Sequence, residues 1–457
     1  MDAKNNGGIV FMSVEVFVMK MEQRDYVIQV VLSNNQKWED YLSTAKSFKI
    51  SKHSVVEAYK RIKENAGSAG IDKESIQDFE NNLKDNLYRI WNRLSSGSYF
   101  PPAVKGVPIP KKSGGVRVLG IPTVSDRIAQ MVIKMELEPI LEPYFHCDSY
   151  GYRPNKSAHQ AIEITRRRCW EYDWVLEFDI KGLFDNINHE LLMKALKKHT
   201  DNKWILLYVQ RWLTAPLQTE EGKLIERNKG VPQGGVVSPI LSNLFLHYVF
   251  DKWMERNFPE MKWCRYADDG LVHCKTYKDA QEVKAKLEQR FNECKLELHP
   301  IKTKIIYCKD GRRRRNYKET KFDFLGFTFA ARGAIIKSKG KLFTGFLPAA
   351  SKSAMNSMRK TIRKWKVPHY VSRSILELAE MLNPVIRGWI NYYGRFYPSA
   401  LMPVYKYINA RLRTWVGRKY IKLRWHKTLC TQWLGRVAKQ NPKLFAHWSS
   451  GEIFAFE

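Results

Sequence analysis

Acidic residues are the scarce class in this chain of 457 residues, where 46 Asp and Glu stand against 77 Lys and Arg. The formal net charge is +31 and the pI near 9.7, an excess that calls for a polyanionic partner. Cysteine is sparse too. The seven (Cys147, Cys169, Cys264, Cys274, Cys294, Cys308 and Cys430) are odd in number, and none lies within five residues of another. Zinc-finger spacing and a disulfide framework are both disfavoured, and a reducing cytoplasm is the expected compartment. Long apolar runs are missing. The most apolar N-terminal stretch, Ile9 to Met19, contains Glu15 and is followed by Lys20, Glu22, Arg24 and Asp25, too short and too charged to span a bilayer or to pass for a signal peptide. With no lipidation signal and no dominant basic amphipathic helix, a membrane is set aside as the partner and nucleic acid is favoured. No repeat period appears. What the chain has in quantity is core material: 44% of residues are hydrophobic and 13% aromatic, which excludes disorder of the whole. Its length suggests about three domains on a prior of roughly 150 residues each.

Residues 1–50 form a weakly patterned extension to which no function is assigned. Val56, Tyr59 and Ile62 then fall at helical spacing up to the break at 67–70, and a second helix is expected from Ile76 to Leu94. Val107 to Pro110 reads as extended, and Lys111 to Arg117 has the Gly-rich centre of a hairpin; Asp126 to Leu141 is helical. Trp174 to Ile180 is a short β-rich run, and His189 to Lys198 a helix. The Gly230-Val231-Pro232-Gln233-Gly234-Gly235 stretch is a loop, after which Ser238-Pro239 offers an N-cap and a first helical position to a helix with Leu241, Leu244, Phe245 and Tyr248 on one face. Cys264 to Cys274 reads as two strands around a tight turn at Ala267-Asp268-Asp269-Gly270. Val283, Leu287 and Phe291 mark another helix, and Phe322 to Phe329 another strand. Beyond Ala350 the composition shifts: from Lys352 to Lys427 there are 17 Lys and Arg against Glu377 and Glu380. Met355, Met358, Ile362 and Trp365 fall at helical spacing there, with Arg359, Lys360, Arg363 and Lys364 between them, so this is a helical domain with a basic face.

Asp179 ends a strand predicted to be buried, while Asp268 and Asp269 sit side by side at a hairpin tip between hydrophobic strands. Like charges so placed raise each other's pKa unless a cation neutralises them. A pair of Mg²⁺ ions would do so, since hard divalent cations take carboxylate oxygens. Two of them about 3.5–4 Å apart stabilise both the attacking and the leaving oxygen of a phosphoryl displacement. An Asp-Asp-Gly surface turn is the bland alternative.

Context decides between them. Tyr266-Ala267-Asp268-Asp269, preceded by an Asp-bearing strand and by Pro232-Gln233-Gly234-Gly235, resembles the catalytic palm of reverse transcriptases. The order of the remaining motifs matches: the basic hairpin ending at Arg117, then Asp179, the Gln-Gly loop, Tyr-Ala-Asp-Asp, Leu298 to Lys304, and Phe324-Leu325-Gly326-Phe327. Within that superfamily the wording of 119–127, of Ser149-Tyr150-Gly151-Tyr152-Arg153-Pro154 and of 184–189 is similar to bacterial group II intron-encoded proteins. The likeness runs from about residue 50 to about residue 450.

The resemblance implies an α+β right-hand polymerase fold, with fingers and palm over 51–345, an α-helical thumb that doubles as the maturase domain over 346–430, and a tail over 431–457. It implies that Asp179 and Asp268 are the main Mg²⁺ ligands, with Asp269 supporting, for two ions. Lys111 and Arg117 would grip the triphosphate, as charge and forked geometry suit them to do. Phe184 would exclude a ribose 2′-OH, or else be plain core. Gln233 would position nucleotide and template beside Gly234, whose missing side chain permits close backbone approach. Lys302 matches a lysine proposed to protonate pyrophosphate, although Ile301 stands where relatives often carry Glu.

Arg359, Lys360, Arg363, Lys364, Arg387, Arg413, Arg418 and Lys419 are the expected RNA-binding residues of the helical domain. Trp389, Tyr392 and Tyr393 would either stack bases or glue helices together. The Arg312-Arg313-Arg314-Arg315 run reads as a solvated loop or a phosphate contact. Many relatives continue into a His-Asn-His nuclease; with no paired-cysteine motif near its end, this chain is expected to lack that activity. The function implied is an RNA-directed DNA polymerase and intron maturase whose partners are structured intron RNA, an RNA template with DNA primer, and dNTP. Two alternatives remain open: a splicing-only RNA-binding protein, and a reverse transcriptase recruited to defence or repair. The oligomeric state leaves no mark.

Overall fold

The computed structural model describes residues 46–110, 114–336 and 340–450; Lys111 and nearly all of the N-terminal extension lie outside the described residues. In chain order the helices are α1 (Lys52–Glu64), α2 (Ile76–Asn81), α3 (Leu83–Ser96), α4 (Val124–Leu141), α5 (Ala158–Glu171), α6 (Leu183–Asn186), α7 (His189–Lys197), α8 (Lys203–Thr214), α9 (Ser238–Leu246), α10 (Lys252–Asn257), α11 (Tyr277–Glu293), α12 (Lys352–Lys364), α13 (Ile375–Tyr393), α14 (Met402–Lys419) and α15 (Lys427–Gln440). The strands are β1 (Val104–Pro110), β2 (Val116–Ile121), β3 (Trp174–Asp179), β4 (Leu217–Gln218), β5 (Leu224–Ile225), β6 (Lys262–Tyr266), β7 (Asp269–Cys274), β8 (Lys304–Tyr307), β9 (Phe322–Phe324), β10 (Phe327–Ile336) and β11 (Lys341–Ala350). The α+β expectation holds. Two compact units share these elements. One takes in the described residues up to Phe145 with Gly182–Asp251 and Cys294–Leu296, the other His146–Lys181, Lys252–Glu293 and the chain from Glu297 onward.

In the first unit α1 starts where Ser51 Oγ accepts the Ser54 N–H, and it buries Val55, Val56, Tyr59 and Ile62. The single helix expected over 76–94 is two, because the backbone leaves the helical region at Asn82; α3 then ends on Gly97 in the left-handed conformation. The basic hairpin forms as expected, with β1 and β2 antiparallel in a sheet of order β2-β1-β4-β5. At α9 the cap is Val237 and Ser238 is already the first helical residue, one position earlier than the Ser-Pro signal suggests. Nearly every side chain of α9 is buried, so the face expected from Leu241, Leu244 and Phe245 is part of a helix wrapped on all sides.

The second unit is built on an antiparallel sheet of order β6-β7-β3-β8. Alternation along β3 divides its side chains between two faces. Phe178 meets Phe291 of α11 edge to face at 5.9 Å. Val175, on the opposite face, joins a cluster with Ala161, Ile162, Leu271, Ile306 and the phenylalanines of a second sheet, β11-β10-β9. That sheet corrects the single strand expected over 322–329: Leu325 and Gly326 both take positive φ, 51° and 81°, and reverse the chain between β9 and β10. The turn is clamped by α13. Tyr392 Oη donates to the Leu325 carbonyl at 2.9 Å, and a Cβ on Gly326 would lie 3.1 Å from Tyr393 Oη. Tyr392 and Tyr393 are therefore packing residues here, and Trp389 stacks on Trp365 at 5.5 Å. Helices α12 to α15 enclose a core centred on Leu382, Ile408, Leu412, Trp415, Leu434, Phe445 and Trp448. The described part of the stretch expected as a tail thus contributes to that core. The Asn383 amide clamps it by donating to the Leu444 carbonyl and accepting from the Ala446 N–H.

Burial depresses two histidines of this unit to a pKa of about 3: His447, bonded to Asn409 Oδ1, and His273 within β7. Each is neutral when folded but takes up a proton on unfolding below about pH 6.5, so stability is present above that value and is lost as pH falls. From pH 7 to pH 5 the loss is about 2 kcal/mol per histidine. Urea unfolding at the two pH values should show it, and His447→Leu should reduce the difference by about 2 kcal/mol.

Candidate active site

Antiparallel pairing sets the end of β3 against the start of β7, so Asp179 lies directly across from Asp269. Asp268 precedes it in the turn, where Ala267 takes φ 55°. The three acids that the sequence scatters over 91 positions are thus neighbours. A further acid, unforeseen, joins them: Glu177, two residues before Asp179 on the same face of β3. Burial first, then Asp268 and Asp179, push the Asp269 carboxyl up to about 7. Burial, with Asp269 and Asp323, pushes Glu177 up to about 8. Such crowding is what a bound cation would relieve.

The supports around this turn are specific. Phe178 pairs with Gly270, and a Cβ on Gly270 would fall 2.1 Å from the Phe178 ring. On the other side, the Tyr150 N–H donates to the Arg265 carbonyl at 2.9 Å, which draws the Ser149-Tyr150-Gly151 stretch along β6. A Cβ on Gly151 would then sit 2.4 Å from the Ala267 nitrogen. The buried Arg265 guanidinium donates to the Ala267 carbonyl, and Arg168 ties Asp148 to the Trp263 carbonyl. Arg265 and Arg168 were missed in the sequence because an arginine in a strand or helix carries no mark of burial.

Lys302 is brought to the acids. The chain after α11 runs back along the end of β3, with the His299 N–H on the Asp179 carbonyl and the Lys181 N–H on the Glu297 carbonyl. Lys302 Nζ then stands 3.0 Å from Asp179 Oδ2. A cleft of about 890 Å³ opens here, lined by Asp179, Asp269, Lys302, Lys304, Asp323 and Arg332 among others.

In the first unit, Phe184 and Gln233 line a recess of about 190 Å³ together with Val118, Asp185, Arg227 and Lys229. Phe184 is half-buried, its carbonyl accepting the Val231 N–H. Gly234 has φ 121°, and a Cβ there would lie 2.5 Å from the Gly120 carbonyl oxygen, so a side chain would force loop and β2 apart. Arg117 is exposed on β2. Asp185 and Arg227 were not foreseen; burial lowers the Arg227 pKa while Asp185 opposes that.

Of the expected RNA-binding residues, Lys360, Arg363, Lys364, Arg387 and Arg418 are exposed, Arg359 and Arg413 half-buried. Arg418 donates to the Pro368 carbonyl, and Lys419 donates to the Val371 and Arg373 carbonyls, so both also brace a loop. In the arginine run, Arg313 is structural: it binds Asp310 and the carbonyls of Tyr172 and Cys169. No helix among the described residues is long and apolar enough to cross a membrane.

An acid-tipped β-hairpin paired with an Asp-ended strand is the arrangement of a nucleotide-polymerising palm, and the profile of the reverse transcriptase (RNA-dependent DNA polymerase) family matches residues 109–329. The maturase-specific domain of group II introns matches residues 355–433. The chain belongs to the group II intron type of reverse transcriptase, an RNA-directed DNA polymerase joined to a maturase domain. It is 33% identical to the protein YkfC of Escherichia coli over 54% of this chain and 73% of that one. It is 28% identical to the group II intron-encoded protein LtrA of Lactococcus lactis over 74% of this chain and 68% of that one. A solved telomerase of Candida albicans, with a fragment of telomeric RNA, aligns at a TM-score of 0.43 and 12% identity over 82% of this chain and 68% of that one. Nucleic acid, RNA included, is the partner class, and reverse transcriptase domains typically use a divalent metal.

Replacing Gly151 by Ala should move the Asp268 turn. A shift on the order of 1 Å at reacting groups costs about 10²-fold in rate. Primer extension on an RNA template should fall accordingly for Gly151→Ala, whereas Gly333→Ala, whose new Cβ meets nothing within 4 Å, should extend at the wild-type rate.

Proposed function

We propose that the chain joins a DNA primer 3′-OH to the α-phosphate of a dNTP, releasing pyrophosphate, with RNA as template, and that Asp179, Asp268 and Asp269 would hold two Mg²⁺ ions for this reaction. The observation that carries this reading is the register pairing of Asp179 with Asp269 next to Asp268, in surroundings that lift Asp269 to about 7. The donor set fits the ions: it is all carboxylate oxygen, the choice of hard cations, and no histidine or cysteine of the turn competes. Bound Mg²⁺ would supply charge stabilisation to both the entering and the leaving oxygen.

The chain's own groups do the remainder. Lys302 neutralises Asp179 at 3.0 Å and keeps an ammonium beside the site where a leaving diphosphate needs a proton. Phe184 and Gln233, which line one recess, would hold the incoming nucleotide together with Gly234, with Phe184 set to reject a 2′-OH; Arg117 and Lys111, as the family likeness implies, would grip its phosphates. The helical domain, 346–430, offers the basic face of Arg359, Lys360, Arg363, Lys364, Arg387 and Arg413 to structured intron RNA. It assists splicing, and the polymerase over 51–345 copies that RNA into DNA during intron mobility.

Asp268→Asn withdraws a negative ligand, and several kcal/mol of lost transition-state stabilisation amount to roughly 10³-fold in rate. Primer extension should fall by that order while affinity for structured RNA stays at the wild-type value. Equal extension by both proteins would remove the carboxylate assignment. Loss of RNA affinity in the variant would instead point to misfolding.

A further inference from the structure

Between α14 and α15 the chain makes a short turn whose side chains divide sharply. Leu423 is half-buried against the core of the helical domain, and Tyr420, with 36% of its surface exposed, rests on Trp433 with ring centres 5.1 Å apart. Ile421 and Trp425 face outward with 82% and 84% of their surface exposed. The turn is held by the backbone. Leu423, Arg424 and His426 N–H groups donate to the Tyr420, Ile421 and Leu423 carbonyls, and the buried Cys430 thiol donates to the Leu423 carbonyl at 3.2 Å. Trp425 is thus displayed by a fixed frame, and the Arg424 guanidinium lies 5.4 Å from the centre of its ring.

An indole held in water costs hydrophobic free energy and marks a binding surface more often than a singly exposed leucine does. The surroundings say which kind. Lys422, Arg424 and Lys427 are exposed on the same turn, with Arg418 one helical end away. No Asp or Glu occurs anywhere between Glu380 and Glu452. A partner has to bring negative charge together with a flat apolar face, and the few apolar side chains exposed here, Ile421, Trp425 and Leu429, make too small a patch to anchor on lipid. A nucleic acid strand satisfies both features, since every base has a π-face for the indole and every linkage a phosphate for the cations.

We propose that Trp425, framed by Lys422, Arg424 and Lys427, is a stacking platform for an unpaired base of structured RNA. The site rests on the reading of the helical domain as an RNA-binding surface and adds to it a preference for loops and bulges over duplex, because only unpaired bases can leave their stack for an aromatic side chain. Neither the palm carboxylates nor the expected basic residues of α12 to α14 provide that discrimination.

The test uses the full chain and two labelled RNAs of equal phosphate number, a stem closed by an adenosine loop and a fully paired duplex, with affinities measured at fixed salt. Wild type should favour the loop RNA. Trp425→Ala should weaken it roughly tenfold and leave the duplex within about twofold, while Trp425→Tyr, which keeps an aromatic face, should restore most of the preference. Replacing Lys422 and Arg424 by Gln should weaken both RNAs and flatten the logarithmic salt dependence by roughly 0.7 per charge removed. The proposal is overturned if Trp425→Ala keeps the wild-type preference; RNA binding by the domain then stands without it. It is also overturned if that variant changes only association with phosphatidylglycerol vesicles. Failure of wild type to bind either RNA would instead remove the RNA-binding reading itself. Thermal melting of Trp425→Ala at the wild-type temperature checks that the exposed side chain was not a packing residue.

Discussion

Like charge brought together at the end of two paired strands is the constraint from which the rest of the polymerase site follows. The pairing of Asp179 with Asp269 is fixed by the antiparallel register of β3 and β7, and that register is fixed in turn by Phe178 lying under Gly270. The backbone cannot relax the repulsion without breaking the sheet. What the fold does instead is surround the acids with a rigid frame: Gly151 packed on the turn nitrogen, the Arg265 guanidinium on the turn carbonyl, and the Lys302 ammonium on Asp179. The carboxylates therefore stand preorganised, and a divalent cation bound there, as proposed, would gain attraction without the protein having to assemble its ligands.

The frame extends within the same unit to the helical domain. The Leu325-Gly326 turn joins β9 to β10 beside the cleft, and it is held by Tyr392 and Tyr393 from the end of α13. The two tyrosines, which the sequence left open as base-stacking or packing residues, are used for packing at this point. The exposed Trp425 is displayed on a different part of the domain, where nothing of the core requires it.

The acid cluster was legible from the chain through the order of the motifs around it, which resembles a reverse transcriptase palm; the residues alone, an Asp ending a β-rich run and two more at a tight turn, left a surface Asp-Asp-Gly turn open. Strand alternation and the break at Gly97 were legible because their signals are local in sequence. The Leu325-Gly326 reversal was not, since Leu at positive φ gives no turn signal of the Asn-Gly kind and the flanking phenylalanines read as one continuous strand. Helix α9 began a residue before its Ser-Pro signal, at a start held by Gln130, whose Oε1 accepts the Val236 and Val237 N–H groups. Charge runs were ambiguous in principle. Arg313, Arg418 and Lys419 proved to be ties to backbone carbonyls, while Arg312, next to Arg313 in the chain, remains exposed, and composition alone cannot separate such roles.

The central claim is that the clustered acids form a divalent cation site, and the most direct measurement is a Mn²⁺ titration followed by electron paramagnetic resonance on wild type and on Asp179→Asn. Saturable binding by wild type that weakens at least about tenfold in the variant is expected when one of a few carboxylate ligands is neutralised. An unchanged isotherm in Asp179→Asn, or no saturable binding in either protein, would contradict it.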